Sequence, residues 1–241
     1  MAFDAGMLAC AVAEIRETAT GGRIEKIYQP ERDEVVIQLR TTLGGRRILI
    51  NAGSNNPRIC YSALPKENPA VPPMFCLLLR KRLGGGKLAS IEQLGFERVV
   101  RLGFDCRDEM GFECRKYLIA EVMGKYSNLI FTDGDMKVVA AHRQVDFTTS
   151  SRRQVLPGMR YELPPAQDKT DPREETEPGF CERFAAAPAD MRGDRFISST
   201  YQGVSAAVAR EIVWRATRHT DTPLKYCDAE RLWHELDVVV R

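Results

Sequence analysis

The chain has 241 residues, 44% of them hydrophobic and 28% charged, which is the make-up of a globular protein with one large domain or two smaller ones. A net charge of +2 excludes binding to nucleic acid through bulk positive charge, but not through a local basic stripe. No apolar run is long enough to span a bilayer. The N-terminal MAFDAGMLACAVAEIRE has no basic residue before Arg16, so neither a secretory signal nor a membrane partner is expected, and the expected location is the cytoplasm.

Residues 4–18 read as a first helix: Leu8, Val12 and Ile15 recur at helical spacing, Asp4 can cap the start, and Gly21-Gly22 ends it. A meander follows at 23–29, 34–40, 47–52 and 58–62, with turns at 42–45 and 53–57. Residues 62–73 form a polar, proline-rich connection. A second helix starts at Pro72 or Pro73, buries Phe75, Leu78, Leu79 and Leu83, and stops at Gly84-Gly85-Gly86. Arg80, Lys81 and Arg82 lie in its last turn, where they complement the helix dipole.

Three β-like runs come next at 97–104, 116–123 and 128–132, separated by turns at 105–111 and 124–127, and a further strand is expected at 137–145. The layout is α+β: two antiparallel sheets in a sandwich or flattened barrel, with a helix on each flank. Residues 150–178 are rich in proline and charge and read as a linker. Helices are expected at 179–187, 188–196, 205–218 and 228–239. The domains are therefore 1–170, rich in strands, and 171–241, all helical. The last helix reaches Arg241 without a stop signal, so the chain is expected to be part of something longer.

Seven cysteines are scattered without a C-x-x-C pair, and His142, His219 and His234 have no zinc-ligand spacing. Reduced thiols, no metal and no cofactor are expected. Phosphate-cradling, serine-hydrolase, zinc-protease and dinucleotide motifs are all missing, so no catalytic residue is assigned and the chain reads as a binding protein.

Basic clusters stand at Arg46-Arg47, Arg80-Lys81-Arg82 and Arg152-Arg153; each alone fits a solvated face, and together they suggest a basic groove. Residues 200–205 join a short helix through Gly203 and Val204 to Ser205, which caps a helix packed through Val208, Ile212 and Val213. A helix-hairpin-helix is built this way and offers backbone N–H groups to a phosphate; an ordinary αα-hairpin fits the same residues. Glu97 and Arg98 at the start of a strand fit two solvated charges, or an arginine that grips phosphate or stacks on a base. Lys125, Ser127 and Asn128 fit a β-turn with or without a ligand.

Taken in order, MAFDAGML, GGRIEKIYQP, PPMFCLLLRKRLGGGKLASIEQLGFERVV, EVMGKYSNLIFTD, VLPGMRYELPPAQDK and GVSAAVAREI resemble the NFACT family, once labelled fibronectin-binding protein A-like. Its members include bacterial RqcH and the eukaryotic nuclear export mediator factor, and the likeness runs collinearly along nearly the whole chain. It implies an NFACT-N domain similar in fold to the N-terminal domain of formamidopyrimidine-DNA glycosylases, then a helix-hairpin-helix domain. In the family a coiled coil and an NFACT-R domain come next, and neither is in this sequence.

The implied partners are tRNA and a large ribosomal subunit obstructed by peptidyl-tRNA; the implied outcome is untemplated C-terminal tailing of the stalled chain, with alanine in bacteria. The family's tailing residues are an N-terminal aspartate, which falls on Asp4, and an Asp-Arg pair, which falls on Glu97 and Arg98. Glutamate thus stands where the family usually has aspartate, one methylene longer. The nucleic-acid contacts implied are Asp4, Glu97, Arg98, Lys125, Ser127, Asn128, Arg80, Lys81, Gly203, Val204 and Ser205.

Two other classes compete. One is a DNA-lesion glycosylase or lyase, although Ala2 and Phe3 stand where those enzymes carry a Pro-Glu nucleophile and no zinc finger follows. The other is a fibronectin-binding adhesin, for which fibronectin enters only as an inherited family label.

Overall fold

The computed structural model describes residues 3–241. In chain order it contains α1 (Ala5–Ala19), β1 (Arg23–Glu31), β2 (Glu34–Thr41), β3 (Gly44–Asn51), β4 (Arg58–Tyr61), α2 (Met74–Leu83), β5 (Lys87–Gln93), β6 (Val99–Arg107), β7 (Glu113–Glu121), β8 (Asn128–Thr132), β9 (Val138–Ala141), α3 (Glu177–Ala186), α4 (Gly193–Thr200), α5 (Ala206–Thr217) and α6 (Ala229–Val240). Two compact units result. The helical unit holds the chain through Met7, Gly95–Glu97 and Gln167–Arg241, and the sheet unit holds Leu8–Leu94 and Arg98–Ala166. No helix among the described residues is long and apolar enough to cross a membrane.

The expected pair of sheets is one sheet of nine strands, ordered β4-β3-β2-β1-β5-β6-β7-β8-β9, with antiparallel neighbours throughout. Two meanders are joined where Arg23 pairs with Lys87. Around that pair Gly21 N donates to Leu88 O at 2.7 Å, Leu88 N to Gly22 O at 2.9 Å and Ile24 N to Gly86 O at 2.8 Å. Beyond the join, α2 supplies the partners that β5 does not. Arg80 Nε donates to the Ile27 carbonyl at 2.7 Å, and the Cys76 thiol approaches the same oxygen at 3.7 Å.

Several boundaries differ from expectation for local reasons. β5 was not expected, because a register shift between Leu88 and Ser90 breaks its alternation. Glu97 and Arg98 lie in the turn before β6 and not on a strand. The buried stripe of α2 is Cys76, Leu79 and Leu83, whereas Phe75 and Leu78 are half-buried. Residues 188–192 are a turn, and the helix expected there begins at Gly193.

One face of the sheet carries most of the core: Ile37, Leu39, Ile48, Ile50, Leu88, Leu102, Phe104 and Leu118 are fully buried. Helix α1 buries Leu8, Val12, Ile15 and Ala19, and is tied down where Arg16 Nε donates to Ile91 O at 3.1 Å. On the opposite face a second cluster lies at the β7–β9 end, where Val99, Ile119, Ile130 and Val138 meet Val155 and Tyr161. The supposed linker of residues 150–178 is therefore partly sheet core. Arg153 holds it there: its Nη2 and Nη1 donate to the two Glu121 oxygens at 2.6 and 3.1 Å, and Tyr161 Oη donates to Glu121 at 2.9 Å. Burial, followed by the Glu121 charge, drives the Tyr161 pKa far above its ordinary value.

The helical unit packs around Phe180 and Tyr201, whose rings stack at 6.2 Å, with Phe196 edge-on to Phe180 at 5.7 Å. Glu175, also in the supposed linker, is buried beneath them and accepts from Tyr201 Oη at 3.1 Å and Arg183 Nε at 2.9 Å. Thr176, Ser205 and Asp228 cap α3, α5 and α6 through their side chains.

Glu121 is 2% exposed, so removing its cationic partner strands a buried carboxylate. Arg153→Met is expected to lower unfolding stability by about 3–5 kcal/mol, read from the urea midpoint at neutral pH. A loss below about 1 kcal/mol, the scale of a surface pair, would mean that the clamp does not hold the segment.

Candidate nucleic-acid interface

Three distant segments meet in the helical unit. Asp4 precedes α1, and its Oδ1 accepts from Met7 N at 3.1 Å, which caps the helix as its position suggests. Its Oδ2 accepts from Ser205 N at 3.4 Å, while Ala5 N donates to the Gly203 carbonyl at 3.1 Å. Asp4 is only 5% exposed. It acts by holding the start of α1 against the α4–α5 turn.

Gly203 has a φ of +74°, and a Cβ there would strike the Phe96 carbonyl oxygen and come within 2.6 Å of Ala5 Cβ. Phe96 is buried and lies under the Arg173 guanidinium at 5.0 Å. The same contacts place Glu97, the next residue, beside this junction. Val204 is half-buried, and Ser205 Oγ accepts from Val208 N at 3.2 Å. The expectation of free N–H groups at this turn is corrected for Ser205. An intramolecular carboxylate already takes the anion position at the start of α5.

The sheet unit resumes at Arg98. A tight loop positions it: Leu94 N donates to Val99 O at 2.9 Å, Gly95 has a φ of +68°, and the Arg98 carbonyl accepts from Val122 N at 2.9 Å. The Arg98 side chain is half-buried.

Lys125, Ser127 and Asn128 fall at a 3₁₀ turn over Gly124–Tyr126 and at the start of β8. Lys125 is exposed, with Nζ 4.9 Å from the centre of the exposed Tyr126 ring. Ser127 and Asn128 are buried. Asn128 donates to Arg143 O at 2.7 Å and accepts from Arg143 N at 2.9 Å, so its amide pairs with backbone and fixes the exit of β9.

That exit holds a cluster not anticipated from the sequence. Asp33, in the β1–β2 turn, bonds His142 Nε2 at 2.8 Å and Arg143 Nη2 at 3.1 Å, and Phe75 meets the His142 ring edge-on at 6.1 Å. Burial pushes the Asp33 pKa up, but the hydrogen bonds from His142 and Arg143 outweigh it and the net shift is downward. The far edge of the sheet is thus drawn back to the β1–β2 hairpin.

Arg80 is committed to Ile27 and lies 5.8 Å from the Tyr28 ring centre. It borders a shallow cavity of about 370 Å³ lined by β1 residues and Gly84. Lys81 and Arg82 share Glu109 at 3.2 and 3.0 Å, so the basic end of α2 is partly neutralised. Among the described residues no group of His, Cys, Asp and Glu side chains is arranged to hold a metal ion. Ala2 lies outside the described residues.

The family model described as NFACT N-terminal and middle domains matches residues 4–240. The chain is 37% identical over 217 residues to the Rqc2 homolog RqcH of Bacillus subtilis (strain 168), covering 90% of this chain and 38% of that protein. It therefore spans about two fifths of that curated relative's length. The solved N-terminal part of the fibronectin/fibrinogen-binding protein from Streptococcus suis superposes with a TM-score of 0.84 at 28% identity, covering 98% of this chain and 85% of that one. The N-terminal domain of fibronectin-binding protein PavA from Streptococcus pneumoniae gives a TM-score of 0.80 at 32% identity, covering 88% and 78%.

Asp4→Ala removes a buried cap and the acceptor for Ser205 N–H, and is expected to cost about 1–2 kcal/mol. Gly203→Ala, strained at positive φ and blocked by backbone, should cost more than about 1 kcal/mol. Denaturant unfolding of both variants checks this, and neutral substitutions would dissolve the junction. For Asp33, a pKa lowered by folding means stability that is present above the unfolded value and lost as pH falls through the folded one. The stability lead of wild type over Asp33→Asn should therefore hold near neutral pH and shrink below 3.8. Urea titrations from pH 6 down to about 2.5 read it out, and a lead that grows on acidification would contradict the assignment.

Proposed function

The chain belongs to the NFACT family, and on that premise we propose that it is a tRNA- and large-ribosomal-subunit-binding region of a ribosome-associated quality-control factor. In this reading the factor works in the cytoplasm and recruits tRNA for C-terminal tailing, with alanine, of stalled nascent chains. The observation that carries it is the 37% identity to RqcH across 90% of the chain. The chain is read as a binding module and not as an enzyme. The α4–α5 hairpin is read as a helix-hairpin-helix, and the sheet unit as a relative of the glycosylase N-terminal fold.

Residue roles follow from the local geometry. Arg98, set on a tight loop by two backbone hydrogen bonds, offers a guanidinium to phosphate or base. Glu97 would set the electrostatics beside it. Asp4 serves indirectly, by holding the first residues of α1 against the α4–α5 turn. Lys125 and Tyr126 offer an exposed cation and ring for backbone contact or stacking.

A second reading has support in the names of the two structural relatives, which mention fibronectin. A purified chain that binds immobilised fibronectin but not tRNA would favour it. Borohydride trapping on abasic DNA tests the glycosylase class, which needs a covalent adduct at the N-terminal amine.

For the main reading, tRNA binding by the purified chain is expected to weaken steeply with salt, as phosphate contacts require. Arg98→Ala should bind at least about 10-fold more weakly, the scale of one good charged contact. Equal binding by wild type and Arg98→Ala would remove Arg98 from the interface.

A further inference from the structure

The sheet register places a row of charges that the family match does not assign. Arg40 pairs directly with Arg23, and Arg23 pairs directly with Lys87. Directly opposed residues of antiparallel strands share a face, so these three side chains stand side by side on β2, β1 and β5. All three are exposed. The row continues to Asp105, opposite Lys87, and Arg115, opposite Asp105, and these last two form an ion pair at 2.6 Å. At the other end Gly45 faces Arg40 and adds no side chain, so the flank of Arg40 is open.

Like charges directly opposed across strands are destabilising. Elsewhere on this face opposed charges are compensated: Arg115 meets Asp105, Arg101 meets Glu92 at 2.7 Å, and the opposed Glu31 and Glu34 share Lys66 at 2.6 and 2.9 Å. Among the described residues Arg23, Arg40 and Lys87 form no such pair. Three neighbouring cations with Cα atoms about 5 Å apart make a line of charge roughly 10 Å long. It lies on a rigid backbone, at the join on which the sheet depends.

We propose that Arg40, Arg23 and Lys87 form a cross-strand cationic row that binds the phosphate backbone of a nucleic acid. This surface rests on the RNA-binding reading above and adds a second, sheet-borne contact to Arg98. The neighbouring positions favour nucleic acid over an acidic protein. The next positions on this face are Arg47, Gln38, which donates to Glu25 at 3.1 Å, and Lys26; they are polar rather than apolar, and a protein interface would want an apolar centre there. Further along, Gly103 has no side chain and Ser90 Oγ and the Tyr117 ring close over it, and Arg101 lies 5.2 Å from the Tyr117 ring centre. A half-buried ring beside a guanidinium suits a stacked base.

The test uses the 241-residue chain, a tRNA, and poly-L-glutamate as a polyanion without phosphate, with affinities measured across a salt series. The triple variant Arg23→Ala/Arg40→Ala/Lys87→Ala is expected to lose about 30-fold or more in tRNA affinity near 0.1 M salt, and its log K against log salt slope should flatten by about 2–3. Its thermal midpoint should match or exceed that of wild type, since a repulsion has been removed. As an independent arm, Asp105→Asn removes the carboxylate that ends the row, frees Arg115 from its ion pair and should tighten tRNA binding by about 2- to 5-fold. If wild type binds tRNA and neither the triple variant nor Asp105→Asn alters affinity or slope, the row is overturned while the RNA-binding reading stands. If wild type does not bind tRNA, both fall. If poly-L-glutamate binds as tightly as tRNA and is lost in the triple variant, the occupant is an acidic protein surface and the phosphate assignment is overturned.

Discussion

The sheet unit depends on a very short seam. Two antiparallel meanders, each stable in its own hydrogen-bond ladder, become one sheet through the single register pair Arg23–Lys87 and the backbone bonds beside it. A seam that short cannot by itself fix how the strands diverge beyond it. Helix α2 takes over that task by giving the Ile27 carbonyl both the Arg80 guanidinium and the Cys76 thiol. At the other extreme of the sheet, Asp33 ties the β1–β2 turn to His142 and Arg143 at the exit of β9. The seam, the helix and the acidic tie together hold the two meanders as one surface, on which the exposed side chains of the sheet are displayed.

Buried charge does much of the positioning in both units. Glu121 with Arg153 and Tyr161, and Glu175 with Arg183 and Tyr201, each pull a proline-rich segment onto a folded surface. Buried ion pairs of this kind are weak as net stabilisers, because desolvation cancels most of the attraction, yet they are costly to break. Their effect is specificity: the segment has one place where its charge is satisfied. Asp4 follows the same logic, since its carboxylate meets two backbone donors from opposite ends of the sequence.

This arrangement separates the residues that build the candidate interface from those that can touch a ligand. Asp4, Ser127 and Asn128 are buried, and Asp4 and Asn128 are spent on backbone. Arg98, Lys125 and the row on β2, β1 and β5 keep charge at the surface. A residue of the first kind can be necessary for function because a ligand-facing neighbour depends on it, without contact of its own.

Local pattern was enough to read α1, the four strands of the first meander, α2 and the four later strands of the second, because periodicities of 3.6 and 2 and the glycine turns are properties of neighbouring residues. The cap at Asp4 and the hairpin around Gly203 were legible for the same reason. What escaped depended on partners far along the chain. β5 hides its alternation behind a bulge that only its pairing with β6 defines, and residues 150–178 looked like a linker because the burial of Val155, Tyr161 and Glu175 depends on surfaces built elsewhere. The sequence alone determined most of the helices, strands and turns, and which family the chain resembles. Only tertiary structure decided that two meanders form one sheet, that Asp4 faces backbone, and that three cations stand in line, since register and burial are set by long-range pairing that no local window contains.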